Sequence, residues 1–162
     1  MMGEVEVRPA VPDDAATILR LMRELARHDG MEGYITTTEE RIRETCFGDN
    51  PACHLLAAVV GGEVVGYVAY TFNWENWSGV YYLALNDLYV REDGRGRGTG
   101  RRLMQEVARV ALERDCWARW EVVPSNRRAL GFYRKLGAYP SDWRICWWSQ
   151  GAMRALLAPP AE

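Results

Sequence analysis

The chain has 162 residues, 48% hydrophobic and 26% charged, which predicts one folded soluble domain, expected over residues 3–157, and excludes a disordered chain. Its formal net charge of −2 argues against nucleic acid as a partner, and no apolar run approaches the ~20 residues that span a membrane. Four cysteines and two histidines lack zinc-ligand spacing, so no metal is expected. Without a signal-like N-terminal segment, the protein is expected to be cytoplasmic.

The first segments predict a strand followed by two helices. Residues 5–8 alternate weakly and predict a strand, and Asp13 or Asp14 is expected to cap the helix that follows. A second, short helix is expected behind Thr37 and Glu40, which have the spacing of a capping box. The polar, glycine-containing segment between these helices predicts a loop.

Three strands are expected next, and two of them form a hairpin. Residues 54–60 and 64–72 predict its two strands, because Gly61-Gly62 between them is typical of a tight hairpin turn. Residues 73–79 predict a loop. Residues 80–90, rich in Tyr, Leu and Val, predict the third strand.

After a glycine-rich stretch, the rest of the chain alternates helices and strands. The expected elements are a helix over 101–114, a strand over 118–123, a helix over 126–136 stopped by Gly137, a strand over 143–148 and a short final helix. The order strand-helix-helix-strand-strand-strand-helix-strand-helix-strand describes an α/β domain with a mixed sheet.

The glycine-rich turn carries the strongest chemical signal. Backbone N–H groups are free to surround one anion in the run Arg95-Gly96-Arg97-Gly98-Thr99-Gly100. The helix that follows adds the positive end of its dipole, and Arg101 and Arg102 add positive charge. The pattern predicts a diphosphate ligand. A plain glycine turn with solvated arginines is the alternative.

The spacing distinguishes between phosphate-binding motifs. No glycine is followed by Lys-Ser or Lys-Thr, which excludes a Walker A loop, and Arg101 stands where a Rossmann fingerprint needs its third glycine. Arg95, Gly98 and Gly100 fit the pattern Arg/Gln-x-x-Gly-x-Gly/Ala, and in this the chain resembles the GNAT acetyltransferases. The resemblance implies acetyl-coenzyme A as co-substrate, with its diphosphate on residues 95–101. It also implies an α/β GNAT fold, whose mixed, mostly antiparallel sheet is flanked by helices and splayed between the two central strands.

A second motif lies further along the chain. Residues 126–138 match the GNAT pattern N-x-x-A-x-x-F-Y-x-x-x-G-A at every fixed position. The resemblance implies that Asn126 contacts the coenzyme and that Tyr133 lies beside the departing thiolate, where a phenol can supply a proton. Their seven-residue spacing is two helical turns, which predicts that both side chains share one helix face. A core tyrosine on an amphipathic helix is the alternative.

Shorter segments, among them Arg8-Pro-Ala, Glu24-Leu-Ala and residues 85–90, are similar to the spermidine/spermine-type diamine acetyltransferases, a group that includes thialysine acetyltransferases. This resemblance covers nearly the whole chain and implies a homodimer with an acidic, aromatic channel for a cationic amine. Carboxylates attract ammonium groups, and indole rings add cation–π attraction. The expected channel residues are Asp29, Glu32, Glu75, Trp77, Asn86, Asp87 and Trp143.

One position departs from that group. Its pattern has a Glu-Asp pair where this chain has Asn86-Asp87, and the Glu is the usual candidate for the general base, a role that an amide cannot fill. An alkylammonium must nevertheless lose a proton before it attacks. The candidates for the base are Asp87 and Glu121, acting through ordered water, and proton loss to bulk water is the third alternative.

The mechanism expected from these residues is direct transfer of acetyl to a primary amine of a small molecule, either a polyamine or a lysine-like amine. The N–H group of Leu88 or of Val90 is expected to polarise the thioester carbonyl, and Tyr133 to protonate the thiolate. A protein N-terminal or lysine acetyltransferase and a non-catalytic acyl-coenzyme A sensor are the alternatives.

Overall fold

A five-stranded sheet forms the frame of the structure, a computed structural model that describes residues 4–157. The described chain falls into two compact units, one ending at Val122 and the other beginning at Val123. The strands, all in the first unit, are β1 (Val5–Pro9), β2 (His54–Val60), β3 (Glu63–Glu75), β4 (Val80–Val90) and β5 (Ala118–Trp120). The helices are α1 (Ala15–His28), α2 (Glu39–Cys46) and α3 (Thr99–Glu113) in the first unit, and α4 (Arg127–Lys135) and α5 (Gln150–Leu157) in the second.

The sheet has the order β1-β2-β3-β4-β5, and its first three pairings are antiparallel. The pairing of β4 with β5 is parallel. This is the expected mixed, mostly antiparallel sheet. Gly61 and Gly62 turn β2 into β3 with φ angles of 58° and 86°, the left-handed geometry that a tight hairpin turn requires.

The hairpin of β3 and β4 is longer than the sequence predicted. Residues 73–75, expected in a loop, continue β3 and pair with residues 82–80 of β4. The prediction was wrong here because Asn73 and Glu75 are typical of turns, whereas their cross-strand partners keep them in the ladder. The connecting loop therefore shortens to residues 76–79.

Helices cover both faces of the sheet. On β2, Leu55 and Ala57 join the buried cluster that α1 and α2 form with the sheet. Because side chains alternate along a strand, the buried Leu56 lies on the opposite face. The buried side of α3, which includes Leu103 and Val107, packs there and contacts β1 to β4.

The caps of the first two helices differ from the prediction. Thr38, and not Thr37, caps α2, since its Oγ1 accepts a hydrogen bond from the Arg41 N–H at 3.1 Å. The two threonines are equivalent in sequence, and α2 begins directly after Thr38, at Glu39. α3 begins at Thr99, two residues earlier than expected.

Asp14 stands at the N-cap of α1, but its carboxylate does not cap the helix. It accepts two hydrogen bonds from the Arg8 guanidinium, at 2.7 and 3.1 Å, and one from the Val11 N–H at 2.8 Å. A buried carboxylate gains most from charged donors, which explains the difference. The pair ties the end of β1 to the start of α1.

In the second unit, α4 begins one residue later than expected because Asn126 is its cap: the side-chain Oδ1 accepts from the Ala129 N–H at 3.0 Å. Asn126 is thus the cap and not a helical residue, so helical spacing alone does not place its side chain on the helix face of Tyr133. Gly137 follows the helix with a φ of 88°, as predicted for the residue that ends it.

Two strand predictions near the C-terminal end were wrong. Residues 143–148 pair with no strand in the described structure, although their aromatic composition favours one. A strand needs a hydrogen-bonded neighbour, and composition does not supply it. The strand expected over 118–123 is limited to β5, because its pairing with β4 ends at Trp120.

Candidate active site

A fork opens between β4 and β5. Their pairing stops at Leu85 and Trp120, and β4 continues beyond it. The Arg91 N–H donates to the Val65 carbonyl on the β3 side at 2.8 Å. In an antiparallel strand, successive N–H groups point alternately to one neighbouring strand and to the other side. Since the N–H group of Arg91 points to β3, those of residues 88 and 90 point away from it. No strand of the described structure pairs with β4 there, so these N–H groups line the fork, which is the expected splay.

A cradle of six N–H groups, those of residues 96–101, lies at the start of α3. Gly96 and Gly98 have φ angles of 76° and 77°, a conformation that glycine adopts without strain. A Cβ added at either glycine would meet no atom within 4 Å, so the space around them is open. No acceptor among the described residues binds these N–H groups. The arrangement is suited to an anion.

The cradle is held against the end of β4. The buried Thr99 hydroxyl donates to the Gly94 carbonyl at 2.7 Å. Arg95 Nε donates to the Val90 carbonyl at 2.7 Å, and its guanidinium lies 5.5 Å from the ring centre of Tyr89. Thr99 and Arg95 were both predicted to bind the cofactor, but their side chains hold the loop instead. The Thr99 N–H group is still available to an anion. The Arg95 N–H group is not, because it donates to the Glu92 carbonyl.

Positive charge beside the cradle comes from two exposed side chains, Arg97 and Arg101. Arg102, by contrast, donates to Glu4 at 3.2 Å. Gly100 lies in the first turn of α3, where it adds no side chain to the cradle.

An extra residue in β4 turns Asp87 towards α1 and α2. Leu85 pairs with Tyr70 and Asp87 pairs with Ala69, so Asn86 forms a β-bulge. Neighbouring residues of β3 point to opposite faces, which puts Asp87 on the face of Ala69 that α1 and α2 cover. Asn86 itself is exposed.

Asp87 is a largely buried carboxylate with one protein donor. The hydroxyl of Tyr67, a side chain with 0% exposure, donates to Asp87 Oδ2 at 3.2 Å. Burial raises the pKa of Asp87, the Tyr67 hydrogen bond lowers it and the Asp29 carboxylate raises it, with a net shift upward. No cation of the described residues forms an ion pair with Asp87. Such a perturbed, unpaired carboxylate is typical of functional sites.

Two further channel candidates lie after α1. Asp29 follows the last residue of that helix and is close enough to act on the pKa of Asp87. Glu32 lies in the turn beyond it, where its Oε1 accepts from Arg27 Nε at 2.6 Å in an exposed ion pair. Of these two carboxylates, Asp29 is the one brought towards Asp87.

Two other channel candidates are Glu75, the last residue of β3, and Trp77, in the loop between β3 and β4. The Glu75 carboxylate accepts from the Ser78 hydroxyl at 2.6 Å and from the Trp77 N–H at 3.0 Å. These bonds, with that of the Ser78 hydroxyl the strongest, lower the pKa of Glu75. Trp77 is 89% exposed. Glu75 therefore stays charged while it organises its own loop.

The remaining predicted residues are Glu121 in the first unit and Asn126, Tyr133 and Trp143 in the second. Glu121 is exposed and follows β5 directly. Tyr133 lies on α4 with its ring centre 5.3 Å from that of Phe132, and burial raises the pKa of its phenol. Trp143 is 81% exposed.

Sequence reasoning missed Tyr67 and Tyr89. Tyr67 stands in an apolar strand twenty positions from Asp87, and only the strand register together with the bulge brings them into contact. The Tyr89 hydroxyl donates to Glu24 Oε2 at 3.3 Å, which links β4 to α1. No local pattern in the sequence indicates either bond.

Other features of the described residues lie apart from this site. A cavity of about 320 Å³ contains none of the predicted site residues; Phe47, His54, Tyr70 and Glu106 are among its lining. Within residues 4–157, no group of three or more His, Cys, Asp or Glu side chains is arranged to hold a metal ion. None of the described helices has the length and apolarity to cross a membrane.

The sheet fork, the anion cradle and the buried carboxylate all lie in the first unit, a combination suited to acyl transfer. The family model "Acetyltransferase (GNAT) family" matches residues 19–138, and the chain belongs to that family of acetyltransferase enzymes. Among curated proteins, thialysine N-epsilon-acetyltransferase from Bos taurus is 35% identical over 96% of this chain and 98% of its own. The enzyme of that name from Sus scrofa is 36% identical over 85% of each chain. These similarities confirm the resemblance to the diamine and thialysine group.

The fold is supported independently by a solved structure. An integron cassette protein from V. cholerae superposes with a TM-score of 0.77 at 21% identity, over 96% of this chain and 98% of its own. At this identity the likeness concerns the fold, which is the expected GNAT fold.

Proposed function

We propose that the protein transfers the acetyl group of acetyl-coenzyme A directly to a primary amine of a small cationic molecule, either a lysine-like amine or a polyamine. The observation that carries the proposal is the buried carboxylate of Asp87, which has no cation partner among the described residues. A buried charge without a partner is costly, and an ammonium group of the substrate is the partner it lacks. The names of the curated relatives support an amine of this kind.

The cradle is proposed to hold the diphosphate of the co-substrate, which supplies the thioester acyl group when bound. The N–H groups of residues 96–101 have no acceptor among the described residues, and the added exposed charges of Arg97 and Arg101 suit a dianion. The open space around Gly96 and Gly98 supports a close approach of the phosphates.

The fork is proposed to bind the acyl end. The N–H groups of Leu88 and Val90 point into the fork and are not used by a neighbouring strand of the described sheet. A backbone N–H fixed in a sheet is a preorganised donor for the oxygen that gains negative charge in acyl transfer. Either group thus serves as the oxyanion donor.

Asp87 is the favoured proton acceptor for the amine. Its pKa is raised by burial, and a base works best when its pKa approaches the working pH. Glu121 is exposed at the end of β5, which gives no comparable reason to favour it. Asn86, an amide, cannot take the proton and is proposed to contact substrate from the bulge.

Tyr133 and Asn126 are proposed to complete the site on the strength of their motif. Burial raises the pKa of Tyr133, so the phenol is protonated at neutral pH and can supply a proton to a departing thiolate. Asn126 is proposed to contact the coenzyme through its amide N–H₂, because its carbonyl oxygen already caps α4.

Amine selection is proposed to depend on the acidic and aromatic side chains predicted for the channel. Asp29, whose carboxylate acts on the pKa of Asp87, is suited to a second positive charge on the substrate. Glu32 and Glu75 add negative charge around the entrance, and Trp77 and Trp143 offer exposed indole faces for a cation.

We also propose that both units act as one domain over residues 3–157, since the family match at 19–138 extends across the boundary at Val122. We propose, as expected from the sequence, that the protein is a homodimer and is cytoplasmic. The exposed Trp147 and Trp148 offer apolar surface for a partner subunit.

The test is release of coenzyme A thiol from acetyl-coenzyme A with a panel of polyamines, lysine analogues, amino acids and peptides. We expect turnover with small diamines or lysine analogues and weak turnover with peptides. Asp87→Asn should lower kcat/KM, and Glu63→Gln, an exposed carboxylate in the β2–β3 hairpin, should not. Coenzyme binding with no turnover on any amine would support a sensor instead, and preference for peptides a protein acetyltransferase.

A further inference from the structure

The environment of Asp87 differs for its two carboxylate oxygens. Oδ2 accepts the hydrogen bond from the Tyr67 hydroxyl. Oδ1 accepts none from the described residues. Every side-chain oxygen or nitrogen that is closed off from solvent in the described part of the chain has a hydrogen-bond partner. Because Oδ1 has none, it is not closed off from solvent, and an amine can reach it.

Tyr67 can play only one part in this pair. Its side chain is 0% exposed and packs in the core between the sheet and α1 and α2. Burial, and next the charge of Asp87, raise the pKa of its phenol, so the group stays protonated. A neutral phenol that no substrate can touch acts as a hydrogen-bond donor and not as an acid.

We propose that Tyr67 is a positioning residue of the acetyl-transfer reaction, whose hydroxyl fixes Asp87 Oδ2 and thereby presents Oδ1 to the amine. The inference rests on the proposed function. It adds a residue to which the sequence motifs assign no role. A packed ring cannot move its hydroxyl, so the carboxylate is held without the entropy cost of ordering it at each turnover.

The titratable groups that act on Asp87, or on which its charge acts, come from three elements. Tyr67 of β3 stabilises the charged carboxylate, whereas Asp29 at the end of α1 opposes it. Cys53, just before β2, is the third; burial first, and then the charges of Cys46 and Asp87, raise the pKa of its thiol to about 11, so it stays neutral. Removal of the Tyr67 hydroxyl therefore leaves burial and Asp29 unopposed, and the pKa of Asp87 must rise.

The experiment compares pH profiles of kcat/KM for the full-length wild type and Tyr67→Phe. The reaction needs the ionised carboxylate, so activity is lost as the pH falls through the pKa of Asp87. We expect Tyr67→Phe to lower kcat about 3–10-fold. It should also move this acidic limb upward by about 1–2 pH units, as the loss of one hydrogen bond to a charged group implies. Phenylalanine keeps the ring, and the position of the limb does not depend on how much enzyme is folded.

The matched control is Tyr70→Phe, which removes a phenol from the same strand but on the opposite face, and it should leave the limb in place. In an Asp87→Asn background, Tyr67→Phe should cause no further loss of kcat, because the two residues act as one unit. An unshifted limb in Tyr67→Phe, or full additivity in the double variant, would overturn the inference while wild-type turnover keeps the proposed function. If the wild type acetylates no amine, the proposed function itself fails.

Discussion

The cradle permits a sharp test through Gly98→Ala. Gly98 has a φ of 77°, where an L-residue is strained by about 1–2 kcal/mol, and a new Cβ would meet no atom within 4 Å. The folded protein therefore bears backbone strain without a clash. For a chain of this size, that strain lowers Tm by about 2–8 °C.

The effect on ligand binding is separate from this strain. The added methyl group projects into the open space of the cradle, where the diphosphate is proposed to lie, and strain in Gly98 favours reorientation of the neighbouring N–H groups. We expect coenzyme A to bind at least tenfold more weakly, which corresponds to about 1.4 kcal/mol. Isothermal titration calorimetry with coenzyme A measures this, and thermal unfolding measures the strain.

The matched control is Gly62→Ala in the β2–β3 hairpin. Gly62 has a φ of 86° and likewise no atom within 4 Å of an added Cβ, so the same strain is introduced away from the cradle. Gly62→Ala should lower Tm to a similar extent and leave coenzyme A affinity unchanged. Equal affinity of wild type, Gly62→Ala and Gly98→Ala would show that the diphosphate does not lie on this loop.

Three further predictions concern single side chains. Tyr133→Phe should lower kcat about 10²-fold with little change in coenzyme A affinity, as expected for loss of a proton donor; an unchanged kcat in steady-state assays removes it from the mechanism. Asp14→Asn should destabilise the fold at pH 7 by about 1–3 kcal/mol, since hydrogen bonds from Arg8 and Val11 outweigh burial and lower the pKa of Asp14. That contribution is lost as the pH falls through this lowered pKa. Urea unfolding should therefore give the variant and the wild type the same stability at a pH below it. The control Asp13→Asn changes an exposed carboxylate and should have little effect at pH 7 or at low pH. Asp87→Asn should raise Tm at pH 7 because the raised pKa shows that folding disfavours the ionised group; the gain should vanish below pH ~4, where the carboxyl is protonated in both states, and a lower Tm at pH 7 would contradict this reasoning.

Local patterns predicted much of the fold. The bounds of β2 and β4 match the prediction, since paired glycines and continuous apolar runs define a hairpin within a few neighbouring residues. The strand predicted over residues 143–148 was wrong because strand pairing is not a local property. The aromatic side chains there favour a strand, but pairing depends on a partner distant in sequence. The cradle could be predicted because its six N–H groups are consecutive.

The contact of Tyr67 with Asp87 could not be predicted in that way. It depends on the register of β3 against β4 and on one unpaired residue, neither of which leaves a mark in the hydrophobic alternation. The same holds for Asp14, where the sequence correctly indicates a residue at the helix start but not that Arg8 takes its carboxylate. Long-range side-chain partners depend on strand register and packing, and local sequence patterns do not contain that information.

The bulge at Asn86 changes which residues of β4 share a face of the sheet. Leu85 and Asp87 are two apart and would share a face in a regular strand, yet the bulge sends them to opposite faces. A substitution at position 86 leaves that exchange intact, and a deletion of Asn86 would remove the bulge yet keep Leu85 opposite Tyr70 and Asp87 opposite Ala69. In the divergence of such enzymes, position 86 is therefore free to change its chemistry, or to be lost, without moving Asp87 to the other face of the sheet.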